Sequence, residues 1–319
     1  MLRFSLTQIE YVLSVAQYRH FAKAAAACHI SQPTLSMQIQ KLEEDLGVIL
    51  FDRSKKPILL TPIGEKLIPQ MQLLIFESKK IEEMVKNNNN EKLNGELRLG
   101  IIPTITPYLL PRLMSSMSKH YEGIRLIISE LQTDKMIKAL EDDELDVGLL
   151  STPLKLPRIH EYALFYEPFY LLCRKDHPLS NKRKVNQNDL KGDDLWLLEE
   201  GHCLRHQVLD ICSMEKKRKE SRQFLFEGGS LETLKNLVET NGGFTLVPKL
   251  SLDKISKSTL IKEFERPIPA REVGLVYRRE HYKLELIEAL GEAILLSIPD
   301  DLKKLRPKDL DVLPINTKN

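Results

Sequence analysis

The segment from Phe21 to Gly47 constrains this chain more than any other part of its 319 residues. Ala22 to Cys28 is alanine-rich and compact, His29-Ile30 makes a short turn, and Ser31-Gln32-Pro33-Thr34 follows. Ser31 suits an N-cap, and Pro33 is tolerated in a first turn because its missing N–H has no helical partner there. Leu35, Ile39, Leu42 and Leu46 then fall on one face of a helix, Gln32, Thr34, Ser36, Gln38 and Lys41 stay polar, and Gly47 is a natural stop. Two short helices about a tight turn make a helix-turn-helix, and Leu6, Ile9, Val12, Leu13 and Ala16 place an amphipathic helix ahead of it.

The continuation fits. Val48 to Phe51 and Ile58 to Leu60 are β-prone runs around Asp52-Arg53-Ser54-Lys55-Lys56-Pro57, a hairpin with a basic tip, so the head reads as a winged helix-turn-helix over residues 1–62. Such a head lays its second helix in the major groove. Gln32, Thr34 and Ser36 are then the expected base readers, Pro33 an apolar base contact, and Arg53 and Lys55 the holders of phosphates. Thr61-Pro62 opens a long helix in which Leu67, Met71, Leu74, Ser78, Ile81 and Val85 form a seam suited to a helix pair, giving a dimerisation helix over 63–91. The run Asn87 to Asn90 is the best domain boundary. From there to residue 319, apolar strand-like runs (ELRLGII, IRLIISEL, DVGLL) alternate with helical patterns, which predicts a two-lobed α/β domain with a largely parallel sheet. The charged stretch 300–319 reads as a loose tail.

Composition removes several classes. The net charge of +2 marks no overall nucleic-acid binder, so DNA affinity must be local. No apolar run nears the ~20 residues of a membrane span, and the start MLRFSLTQIEY is unlike a signal peptide, so a cytoplasmic protein without membrane contact is expected. The four cysteines, Cys28, Cys173, Cys203 and Cys212, show no zinc spacing, and neither a metal nor an organic cofactor is expected. In apolar contexts, Cys28 and Cys173 read as core residues.

Phe21 to Arg53 (FAKAAAACHISQPTLSMQIQKLEEDLGVILFDR) resembles the DNA-binding signature of LysR-type transcriptional regulators, and the domain order agrees. Within that family IPTITPYLLP, LEEGHCLRHQ, SLETLKNLV and GLVYR are similar to segments of the OxyR group of hydrogen peroxide sensors. That resemblance implies a regulatory domain like the two-lobed periplasmic binding proteins, and a redox pair of Cys203 with Cys212, nine positions on (212 minus 203). It also implies a peroxide pocket with Thr104 and Thr133, thiolate support from His202, Arg205 and Arg271, and no enzyme turnover. Implied partners are double-stranded promoter DNA, other copies of the chain in a dimer or tetramer, RNA polymerase, and a dithiol reductase such as glutaredoxin or thioredoxin. Two departures stand out: His206 occupies a position often acidic in the group, and the loop MEKKRKESR after Cys212 is basic.

Other readings remain open on the residues alone. A LysR-type regulator could bind a small co-inducer between the lobes with incidental cysteines, and a thiol peroxidase would use the same thiols but needs no helix-turn-helix. A solute-binding module shares the two-lobed architecture but carries a signal peptide. Thr133 could simply cap the helix that begins TDKMIKAL.

Overall fold

A computed structural model describes residues 4–88, 93–190, 194–212, 228–253, 257–279, 281 and 283–315. The loop MEKKRKESR, the last two asparagines of the polar boundary run and residues 316–319 lie outside the described residues. The chain divides into two compact units, one over residues 1–91 with 280–283 and one over 92–279 with 284–319.

The first unit opens with α1 (Leu6–Tyr18), capped by Ser5, whose hydroxyl accepts from the Gln8 amide. There follow α2 (Phe21–Ala27) and α3 (Gln32–Leu46), the latter N-capped by Ser31 and ended by Gly47 in the left-handed conformation. Strands β1 (Phe51–Asp52) and β2 (Leu59–Leu60) pair antiparallel as the wing, and α4 spans Pro62–Asn88. Ile9, Val12, Phe21, Ala24, Leu35, Ile39 and Leu42 form its core. This is the apolar face that the helical spacing marks out. Met71 and Ile75 of α4 join that core, whereas Leu74, Ile81 and Val85 stay exposed. Glu43 ties the wing to α3: its carboxylate accepts from the Leu50 amide at 2.7 Å and from Arg53 Nη2 at 2.8 Å.

The second unit begins with β3 (Gly95–Ile101), α5 (Thr106–His120), β4 (Ile124–Glu130), α6 (Thr133–Glu141) and β5 (Val147–Thr152). Here β3 pairs parallel with both β4 and β5. The 16-residue β6 (Ile159–Arg174) and the short β7 (Lys184–Val185) follow, then α7 (Cys203–Ile211), α8 (Leu231–Asn241), β8 (Phe244–Pro248), β9 (Thr259–Phe264) and β10 (Ile268–Arg278). The chain ends through α9 (Leu284–Ser297), α10 (Asp300–Lys303) and β11 (Leu310–Val312).

Two separate hydrophobic clusters make this unit two-lobed. One gathers β3 to β5, α5, α6 and α9. The other gathers the end of β6, α7, α8 and β8. Strand β6 belongs to both lobes, pairing with β10 in its first part and with β8 and β9 in its second.

Two expectations are corrected. The sheet is mixed rather than largely parallel: β10 runs antiparallel to β5 and β6, and β6 antiparallel to β8 and β9. Parallel neighbours need a crossover of a dozen or more residues, which α5 and α6 supply, whereas β9 and β10, separated by three residues (265–267), both run antiparallel to β6, β9 along its second part and β10 along its first. Nor is the 300–315 stretch loose. β11 pairs parallel with β10, and Leu302, Leu310 and Leu313 are buried. A few leucines dispersed among charges anchor a segment whose average composition looks solvated.

Candidate functional site

Cys203 is the first residue of α7 and Cys212 is its C-cap, so the helix lies between the two thiols. At 1.5 Å per residue, nine steps put the Cα atoms ~13 Å apart along the axis, against at most ~7 Å in a disulfide. All four cysteines are free thiols. Cys203 is buried at the helix N-terminus, an end that favours negative charge, and its Sγ donates to Ser151 Oγ at 3.7 Å. Cys212 is buried in the apolar core of the second lobe, and burial pushes its thiol up to about 12. In this conformation it is therefore a neutral thiol at ordinary pH, unable to act as a nucleophile. Burial likewise raises the core thiol of Cys173 to about 11, while Cys28 is only half-buried against the core of the first unit.

Arg271 on β10 and Glu167 on β6 face each other directly across the antiparallel ladder, and both side chains are 0% exposed. Nε and Nη2 of Arg271 reach Glu167 Oε2 at 2.8 and 2.7 Å, and Nη1 donates to Thr104 Oγ1 at 2.9 Å. Glu167 also accepts from the Leu250 amide at 2.7 Å. The guanidinium is thus compensated by a carboxylate, and its link toward the pocket passes through Thr104. Nothing in the sequence singles out Glu167, which pairs with Arg271 only through strand register.

His202 precedes α7 and is buried; its Nε2 lies 3.2 Å from Gln132 Nε2 and 3.6 Å from Glu199 Oε1. Gly229 admits the ring, since a Cβ there would stand 2.7 Å from His202 Nε2. Gly201, at φ +92°, lets the 199–202 turn close over Gln132. Arg205 Nη1 donates to the Leu198 carbonyl at 2.7 Å and fixes the same turn. Thr133 does not cap α6: the N-cap position is Gln132, and the buried Thr133 Oγ1 has no hydrogen-bond partner among the described residues. A buried hydroxyl left open in this way is what a small polar ligand would complete. Beside these groups a cleft of about 420 Å³ opens between the lobes, lined by Tyr108, Glu130, Gln132, Glu199, His202 and Glu232 among others. Thr104, Thr133, Cys203 and Arg271 are not in its wall and lie deeper.

Burial, opposed by Glu199 and Glu130, holds the His202 imidazole below its usual value of 6.5. A base harder to protonate when folded contributes stability that is present above pH 6.5 and lost as pH falls through the depressed value. Urea midpoints at about pH 7.5 and about pH 5.5 are expected to show a smaller acid loss in His202→Gln than in the wild type. Equal losses would remove His202 as the source.

In the first unit Gln32, Pro33, Thr34, Arg53 and Lys55 are exposed and Ser36 is half-buried. Arg53 is engaged within the fold, donating to Ser36 Oγ at 3.3 Å and to Glu43, with its guanidinium 5.1 Å from the Phe21 ring centroid.

Residues 6–65 match the bacterial regulatory helix-turn-helix protein, lysR family, and residues 90–296 match the LysR substrate binding domain. The chain is 36% identical over 292 residues to the DNA-binding transcriptional dual regulator OxyR of Escherichia coli K12, covering 91% of this chain and 94% of that protein. A cysteine-to-aspartate variant of full-length OxyR from Pseudomonas aeruginosa superposes with a TM-score of 0.75 at 33% identity, covering 92% of this chain and 99% of that one. A hydrogen-peroxide-bound cysteine-to-serine mutant of Corynebacterium glutamicum OxyR gives 0.59 at 31% identity, with 93% and 95% covered.

Proposed function

This chain belongs to the LysR family of transcriptional regulators, and we propose that it controls promoters in response to hydrogen peroxide through a reversible Cys203–Cys212 disulfide. The observation that carries the reading is the placement of the two thiols at opposite ends of one helix in a unit similar to OxyR. Ionised Cys203 attacks one peroxide oxygen; an S–O bond forms, the O–O bond breaks, and the departing hydroxide is protonated to water. Once α7 unwinds and releases it from the core, Cys212 attacks the sulfenic sulfur and a second water leaves. Thr133, with its open hydroxyl, and Thr104, polarised by Arg271, hold the peroxide, while His202 and Arg205 shape the turn that carries Cys203.

The exposed N-terminal turn of α3, with Gln32, Pro33, Thr34 and Ser36, reads base edges in the major groove. Lys55 and Arg53 hold phosphates beside it, Arg53 by exchanging an intramolecular partner for DNA. The exposed Leu74, Ile81 and Val85 of α4 form the seam of a dimer, with two dimers making a tetramer on a dyad-symmetric site. RNA polymerase and a dithiol reductase complete the cycle, in the cytoplasm; no described helix is long and apolar enough to cross a membrane.

Mass mapping of the reduced protein before and after about one equivalent of peroxide tests this. A loss of two hydrogens at a Cys203–Cys212 bridge is expected, with consumption stopping at one peroxide per chain, and Cys203→Ser abolishes it. Continued turnover would instead indicate a thiol peroxidase. The 420 Å³ cleft favours the second reading, a co-inducer regulator, and an inert Cys203 would select it.

A further inference from the structure

We propose that Ser151 is a further catalytic residue of the thiol oxidation, its hydroxyl holding the Cys203 sulfur in both its protonated and its ionised state. The proposal rests on the peroxide-sensing reading and extends it to a residue that no motif in the sequence marks.

Strand β5 is buried along its whole length and runs Val147-Gly148-Leu149-Leu150 before it turns polar at Ser151 and Thr152. Buried hydroxyls take partners. Thr152 Oγ1 donates to Glu272 Oε1 at 2.7 Å, and the polar contact of Ser151 Oγ, in a residue 0% exposed, is Cys203 Sγ at 3.7 Å. A helix and a strand distant in sequence, α7 and β5, are therefore joined at the reacting atom.

The ladder fixes where that hydroxyl sits. Ser151 pairs with Val273 on β10, and Val273 shares a strand face with Arg271 two residues away. The Ser151 side chain is consequently built into the strand layer that supports the Arg271–Thr104 hydrogen bond, rather than into a loop.

A serine hydroxyl both donates and accepts. Toward the thiol it accepts the S–H hydrogen; once that proton has left to solvent, the O–H turns and donates to the thiolate. During attack the sulfur loses two electrons to peroxide, an S–O bond replaces the O–O bond, and the thiol proton is balanced by the one taken up by the leaving oxygen. Ser151 transfers no proton and keeps its hydrogen bond to sulfur. Being neutral, it stabilises the anion without burying a second charge.

The test follows iodoacetamide alkylation and peroxide oxidation of the Cys203 peptide by mass spectrometry, in full-length wild type, Ser151→Ala and Ser151→Thr. Removing a hydrogen bond to an anion in Ser151→Ala is expected to slow both reactions by about three- to tenfold near neutral pH and to move the alkylation midpoint up by about half to one pH unit. Ser151→Thr keeps the hydroxyl and should keep the wild-type midpoint. His202, Glu199, Glu130, Glu167 and Arg271 remain in every variant, so a displaced midpoint reports the hydroxyl. A serine that merely fills space would change the urea midpoint and leave the pH midpoint in place, and that result overturns the proposal.

If Ser151→Ala does not fold, the S–H stretching band of wild-type Cys203, identified by its disappearance in Cys203→Ser, decides. A band lowered to the hydrogen-bonded range supports the contact, and one at the free-thiol frequency overturns it. Peroxide inertness of the wild type with an upward shift of the Ser151→Ala alkylation midpoint would defeat the peroxide reading while leaving the Ser151 contact standing.

Discussion

Oxidation to the Cys203–Cys212 bridge is expected to strip amide protection from the whole of α7, with residues 203–211 exchanging on the order of a hundredfold faster or more than in the reduced chain. The reason is length. Thiols ~13 Å apart along an intact helix cannot meet within the ~7 Å that a disulfide allows, so the nine-residue helix must unwind. Unwinding withdraws Leu204, Val208, Ile211 and Cys212 from the core of the second lobe and breaks the hydrogen bond from Gln207 Nε2 to the Leu313 carbonyl at 3.5 Å. Each apolar side chain exposed costs about 1.5–3 kcal/mol. That cost makes the bridge easier to reduce, since about 1.4 kcal/mol corresponds to 30 mV for a two-electron couple, and it supplies the reset. Hydrogen exchange on reduced and oxidised full-length protein checks this, with peroxide-treated Cys212→Ser as the control that forms no bridge. A verified bridge with α7 still protected would sink this account.

The second large effect concerns the buried pair. Arg271→Met leaves the fully buried Glu167 carboxylate without its guanidinium, and is expected to cost about 3–5 kcal/mol, the range for breaking a buried ion pair from one side. Glu167→Leu has the same effect with the opposite charge stranded. The double variant Arg271→Met/Glu167→Leu removes both charges and should recover much of the loss. The single tryptophan, Trp196, is buried in the second lobe and reports unfolding in urea by its fluorescence. Additive losses in the double variant would show that the two side chains do not act as a pair. The coupling also bears on chemistry, because Arg271 is the donor to the Thr104 hydroxyl.

Much of this was open to inspection in one dimension because its signals are local. The N-cap at Ser31, the stop at Gly47, the apolar face of α3 and the texture β3-α5-β4-α6-β5 depend on contacts within a few residues, and hydrophobic spacing reports those directly. Cys203 stood out through its neighbours in GHCLR, which carry the resemblance.

The head, the order of domains and the family are thus written in short-range pattern along the chain. That α7 separates the two thiols, that the Arg271 charge is balanced by Glu167, that Thr133 Oγ1 is open and that Ser151 touches Cys203 became visible once the chain was folded. So did the antiparallel insertion of β10 between β5 and β6, and the docking of β11. The Arg271–Glu167 pair, the Ser151–Cys203 contact and the strand pairings join residues far apart in the chain, through strand register and side-chain direction. A shift of register by one residue turns every side chain to the opposite face, so no local spacing carries that information.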